Sequence, residues 1–64
     1  MDKKIEDKIK QLMKGNEKDR NLACMLAQME VITATRLGKD IEYAKDIEHQ
    51  CVCKLKEFWI NQRK

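Results

Sequence analysis

Wound as an α-helix, the stretch from Leu22 to Leu37 is apolar around nearly its whole circumference, and no other feature constrains the chain as strongly. With a step of about 100° per residue, Leu22, Met25, Leu26, Met29, Ile32 and Leu37 share one stripe about 140° wide. Ala23, Ala27 and Ala34 form a second stripe beside it, which Val31 and Cys24 extend, leaving mainly Gln28 and Thr35 as a polar window. A helix that is apolar on most sides is covered on most sides. The large side chains are therefore expected to face the other segments of the chain. The strip of Ala23, Ala27, Val31 and Ala34 is then left as the expected self-association face, because small side chains let a further helix approach closely; the alternative is that the first or the third helix covers it within one chain, giving a monomeric three-helix bundle.

The flanking segments also read as helices. Pro is absent, Gly occurs twice and 39% of the residues are charged, so helix propensity is high throughout. Asp2 is a candidate cap for a first helix whose Ile5, Ile9, Leu12 and Met13 follow helical spacing. Gly15 suits the left-handed position after it, and Asn16 can cap the second helix with Glu17 and Asp19 in its positive first turn. Gly38 ends or bends that helix, and Asp40 is a candidate cap for a third, with Ala44, Ile47, Cys51, Leu55 and Phe58 along its main stripe.

Helices are thus expected at about residues 2–14, 17–37 and 40–62, within a single small domain. The predicted fold class is all-α: a short N-terminal amphipathic helix, then an antiparallel two-helix hairpin, completed into a helical bundle by self-association. An unbroken helix through Gly38 is the competing arrangement, since glycine costs only about 1 kcal/mol relative to alanine there. At 64 residues a single core supplies little stability, and oligomerisation is the expected remedy.

Several function classes are disfavoured. The Met1 start lacks a continuous apolar run and the longest apolar region is interrupted by Gln28 and Glu30, so neither a signal peptide nor a membrane span is expected. A cytoplasmic location follows as the expectation. The three cysteines are an odd number and read as free thiols in a reducing compartment. Ala34, Gly38 and Ile47 resemble the offsets of a helix-turn-helix. Its reading helix would, however, present Asp40, Glu42, Asp46 and Glu48 to phosphates, which makes nucleic acid an unlikely partner.

The string His49-x-Cys51-x-Cys53 places only His49 and Cys53 on one helical face, short of the four ligands of a closed zinc site. No metal and no cofactor is expected. Cys51 reads as buried and Cys53 as a surface thiol. Cys53 has His49 nearby but no third orienting group and no oxyanion-hole loop, so no enzyme is expected.

What is left is a non-enzymatic helical module that binds a protein partner. This profile fits a phage or mobile-element product that inhibits or regulates a host protein. The alternative is an oligomeric binder that sequesters a small anionic ligand such as a nucleotide signal, with lysines and the helix start at Asn16 as donors. Candidate contacts are Arg36 and Glu48, each a charge inside an apolar seam, with Trp59 and Ile60, which point to different sides near the C-terminus.

Overall fold

Local chemistry sets the boundaries of three helices. In the computed structural model, which describes residues 2–62, these are α1 (Lys3–Leu12), α2 (Glu17–Leu37) and α3 (Ile41–Gln62). The Asp2 carboxylate accepts the Lys4 N–H at 2.9 Å, satisfying one of the donors that a helix start leaves open. At its other end α1 tightens: the Lys14 and Gly15 amides donate to the Gln11 and Leu12 carbonyls, three residues back, at 3.2 and 3.1 Å. Gly15 does not take the left-handed conformation expected of it, since Gly38 is the only glycine with positive φ among the described residues. Its small size serves the turn differently, because a Cβ there would lie 2.7 Å from that of Asp19.

Asn16 starts α2 as expected, its side-chain oxygen accepting the Asp19 N–H at 2.9 Å. The helix stops at Gly38, which is left-handed at φ 67° and ψ 26°. The Gly38 amide and, at 3.2 Å, the Lys39 amide both turn back to the Ala34 carbonyl, joining the five-to-one bond of a left-handed cap to the six-to-one bond of a Schellman end. Asp40 stands at the cap immediately before α3, its carbonyl accepting the Ala44 N–H at 2.9 Å. Its φ of 58° is left-handed instead of the extended conformation usual for a cap, and Asp is one of the few residues that enter that region readily. Left-handed conformations at Gly38 and Asp40, on either side of Lys39, make a hairpin of α2 and α3, not one long helix.

The core lies where the three helices meet. Ile9 and Met13 of α1 pack with Ala23, Cys24 and Ala27 of α2 and with Ile47, Cys51 and Leu55 of α3. This inverts the expected assignment of the two α2 stripes. The alanine strip, expected to lie open for self-association, is covered inside one chain: Ala23, Ala27 and Ala34 are buried and Val31 is half-buried. The large stripe, expected to be the core face, turns outward at Leu22, Met25, Met29, Ile32 and Leu37, and only Leu26 packs against the core. The reason is volume. Small side chains bring the helix axes together, and the bulk needed to fill the interior comes from Ile9, Met13, Ile47 and Leu55 on the facing helices.

Polar side chains tie the helices at two points. Arg20 donates from Nε to the Gly15 carbonyl at 2.9 Å and from Nη1 to the Lys54 carbonyl at 2.7 Å. Its guanidinium carbon also stands 5.3 Å from the centre of the Phe58 ring. One residue thereby joins the α1–α2 turn, α2 and α3. Elsewhere the Tyr43 hydroxyl donates to the Glu6 carboxylate, which also pairs with Lys10 at 3.2 Å, and this links α1 to α3.

Two substitutions test this architecture. Nothing lies within 4 Å of a Cβ built on Gly38, so Gly38→Ala carries only the conformational cost, about 1 kcal/mol, and lowers the melting temperature by several degrees. In a continuous helix the same change would raise it. Arg20→Ala removes two hydrogen bonds from a charged donor together with the ring contact, for a loss of about 2 kcal/mol in urea unfolding. Arg20→Lys recovers little of it, because an ammonium cannot span both carbonyls and stack on Phe58.

Candidate functional site

Since α2 is buried along its alanines, its opposite side carries what remains. Leu22, Met25, Met29 and Ile32 follow one another at intervals of three, four and three, and Arg36 continues the series four residues later. Residues so spaced form a straight seam along a helix. Met29 is 62% exposed and Met25 58%, whereas Ala23 and Ala27 on the other side are at 0%. Leu37, exposed as well, extends the apolar surface at the hairpin end.

Along its sides this seam is flanked by polar, uncharged residues, Asn21, Gln28, Thr33 and Thr35, and a cation stands at each end, Lys18 four residues before Leu22 and Arg36 four after Ile32. The Thr33 hydroxyl donates to the Met29 carbonyl at 3.0 Å and that of Thr35 to the Val31 carbonyl at 2.8 Å. With both hydroxyls bonded to their own helix, covering the seam leaves no unsatisfied donor on either threonine.

The candidate contact residues are not brought together. Arg36 lies in the last turn of α2 and Glu48 midway along α3, while Trp59 and Ile60 lie near the far end of α3, about 28 Å from the hairpin turn at 1.5 Å per residue. Arg36 is exposed and carries no ion pair among the described residues. Glu48 is half-buried beside the thiols of Cys24 and Cys51. Trp59 and Ile60 are both exposed. Tyr43 and Arg20 were missed as organising residues in the sequence, since neither stands out in a hydrophobic pattern and their acceptors lie 37 and 34 residues away.

An open cleft of about 380 Å³ lies between the start of α1 and the hairpin end, with Ile5, Ala34 and Ala44 on its apolar side. Among the described residues its charged lining is Asp2, Glu30, Asp40 and Lys39, an excess of carboxylates that disfavours a phosphate or nucleotide.

The thiols divide by environment. Burial, foremost, with Cys24 and Glu48 beside it, pushes the Cys51 thiol up to about 11, and burial likewise raises Cys24. Cys53 is exposed, with its Sγ 3.6 Å from the His49 Nε2. Among the described residues no group of three or more His, Cys, Asp or Glu side chains is placed to hold a metal ion, and no helix is long and apolar enough to cross a membrane.

An alkylating reagent at neutral pH should label Cys53 first, with Cys24 and Cys51 reacting only as the fold opens. Because the fold holds the Cys51 thiol above the unfolded value of 9.0, it favours the neutral form. Its contribution is complete below pH 9 and is lost as the pH rises towards about 11. Thermal melts across that range should show stability falling more steeply in the wild type than in Cys51→Ala. Equal slopes would contradict the burial of this thiol.

No protein-family model, curated protein or solved structure matches this chain, so its function is read from this geometry.

Proposed function

We propose that the protein is a non-enzymatic helical interaction module that binds a protein partner along the outer face of α2. The observation that supports this most directly is the outward placement of Leu22, Met25, Met29 and Ile32 while alanines fill the core side of the same helix. A large contiguous apolar patch exposed on a small protein marks a contact surface, whereas scattered single residues would not. Methionine suits such a surface, because its flexible, polarizable side chain adapts to the partner's contour. Binding in this mode occupies a partner's surface and performs no chemistry, which fits an inhibitor or regulator of another protein.

The reading in which a small anionic ligand is sequestered loses support from the charge of the cleft at the hairpin end, where Asp2, Glu30 and Asp40 outnumber Lys39. A lipid surface is disfavoured on different grounds. Membrane-surface helices carry a basic collar along their length that reaches anionic headgroups, whereas the seam on α2 is flanked along its sides by Asn21, Gln28, Thr33 and Thr35 and meets a cation only at its ends, Lys18 and Arg36.

The test is affinity capture from the native host with wild-type protein and Met29→Asp as parallel baits. Met29 lies outside the core, so the variant should stay folded. The expected result is a protein retained by the wild type and lost, by at least tenfold, with the variant. Identical captured sets would refute the reading. Stoichiometric nucleotide released by heating the purified wild type would favour the anionic-ligand alternative instead.

A further inference from the structure

We infer that the outer face of α2 pairs with the same face of a second copy of this chain, so that two α2 helices form a short coiled-coil seam between two hairpins. The inference rests on reading that face as an interaction surface, and it specifies the occupant. Three observations favour a second copy. The first is spacing. Leu22, Met25, Met29 and Ile32 occupy successive a and d positions of a heptad, and the next a position is Arg36. A helix whose seam matches that repeat is complementary to another with the same repeat, and the nearest source of one is the chain itself.

The second observation is charge. Pairing with a copy sets each border position against borders of the same sequence, so charged borders of one sign would repel. Asn21, Gln28, Thr33 and Thr35 carry no charge, and the two threonine hydroxyls are already bonded within their own helix. A partner selected by charge would call for charged residues at these positions. The two cations in the register, Lys18 and Arg36, lie at opposite ends of the seam, where each charged head stays in water while its stem packs.

The third observation is area. At roughly 100 Å² for each half-exposed large side chain, the four seam residues present on the order of 400 Å² per copy. With the adjoining Gln28 and Thr33 and the stem of Arg36, a two-fold pair approaches ~1,000 Å² in total, the size at which specific interfaces begin. The same seam met by a small peptide would leave much of its length wet. The molecule's extents of 42 × 18 × 13 Å allow α2 to lie against a twin along its length.

Sedimentation equilibrium of the wild type, Met29→Asp and Ile32→Lys tests the inference, with circular dichroism to check that each remains helical. The expected result is a dimeric wild type whose dissociation constant rises at least ~100-fold in either variant, since each places a charge in the seam of both copies. Ile32→Lys gives an independent reading should Met29→Asp lose its helicity. A wild type that is monomeric at high micromolar concentration overturns the inference, as does a dimer indifferent to both substitutions. A monomer that still loses its captured host protein on Met29→Asp overturns the pairing with a second copy while leaving the surface an interaction site. A monomer whose captured set is also unchanged overturns both.

Discussion

The close approach of α2 to its neighbours over Ala23, Ala27 and Ala34 is the contact on which the rest of the structure depends. An alanine face brings a helix axis nearer to its neighbours than a leucine face does, and side chains from the facing helices then fill the interior. Ile47, Cys51 and Leu55 from α3, Ile9 from α1 and Met13 just after it meet over Ala23 and Ala27, and Ala44 of α3 is as small where the hairpin closes. Enlarging any one of these small residues would push apart helices that have no second core to fall back on.

Polar geometry then decides how the chain reaches this packing. Asn16 starts α2 and the Gly38 closure onto Ala34 ends it, so the hairpin arms are matched in length by local chemistry at each end. Arg20 fastens the open end of the hairpin by reaching from α2 to the Gly15 and Lys54 carbonyls, while Tyr43 and Glu6 hold α1 against α3. In a chain of 64 residues these ties carry a larger share of the stability than they would in a bigger domain, because the apolar core is small.

A consequence of burying alanine is that methionine, leucine and isoleucine on the same helix have nowhere else to go. Leaving them wet forgoes burial worth roughly 1 to 2 kcal/mol per half-exposed side chain, which a domain of marginal stability can recover by association. The surface proposed to engage another polypeptide is also the one whose exposure limits how stable the isolated chain is, and the proposed seam would remove that limit when a second copy is present.

Much of this was legible in the sequence because it depends on neighbours along the chain. Asp2, Asn16 and Gly38 act on amides within five residues of themselves, so helix ends and the hairpin break follow from local rules. The burial of Cys51 and the exposure of Cys53 follow from the α3 periodicity, since Ile47, Cys51 and Leu55 recur at four-residue spacing. Which side of α2 faces inward was not legible. Both of its stripes are apolar, and periodicity reports that a face is apolar without reporting how far away its neighbour stands. That distance is set by the sum of side-chain volumes across the interface, so only the tertiary structure decides that alanines go inside and the large residues outside. The role of Arg20 is hidden for the same reason: its acceptor on α3 is a backbone carbonyl, which leaves no trace in residue type and comes within reach only once the hairpin has closed.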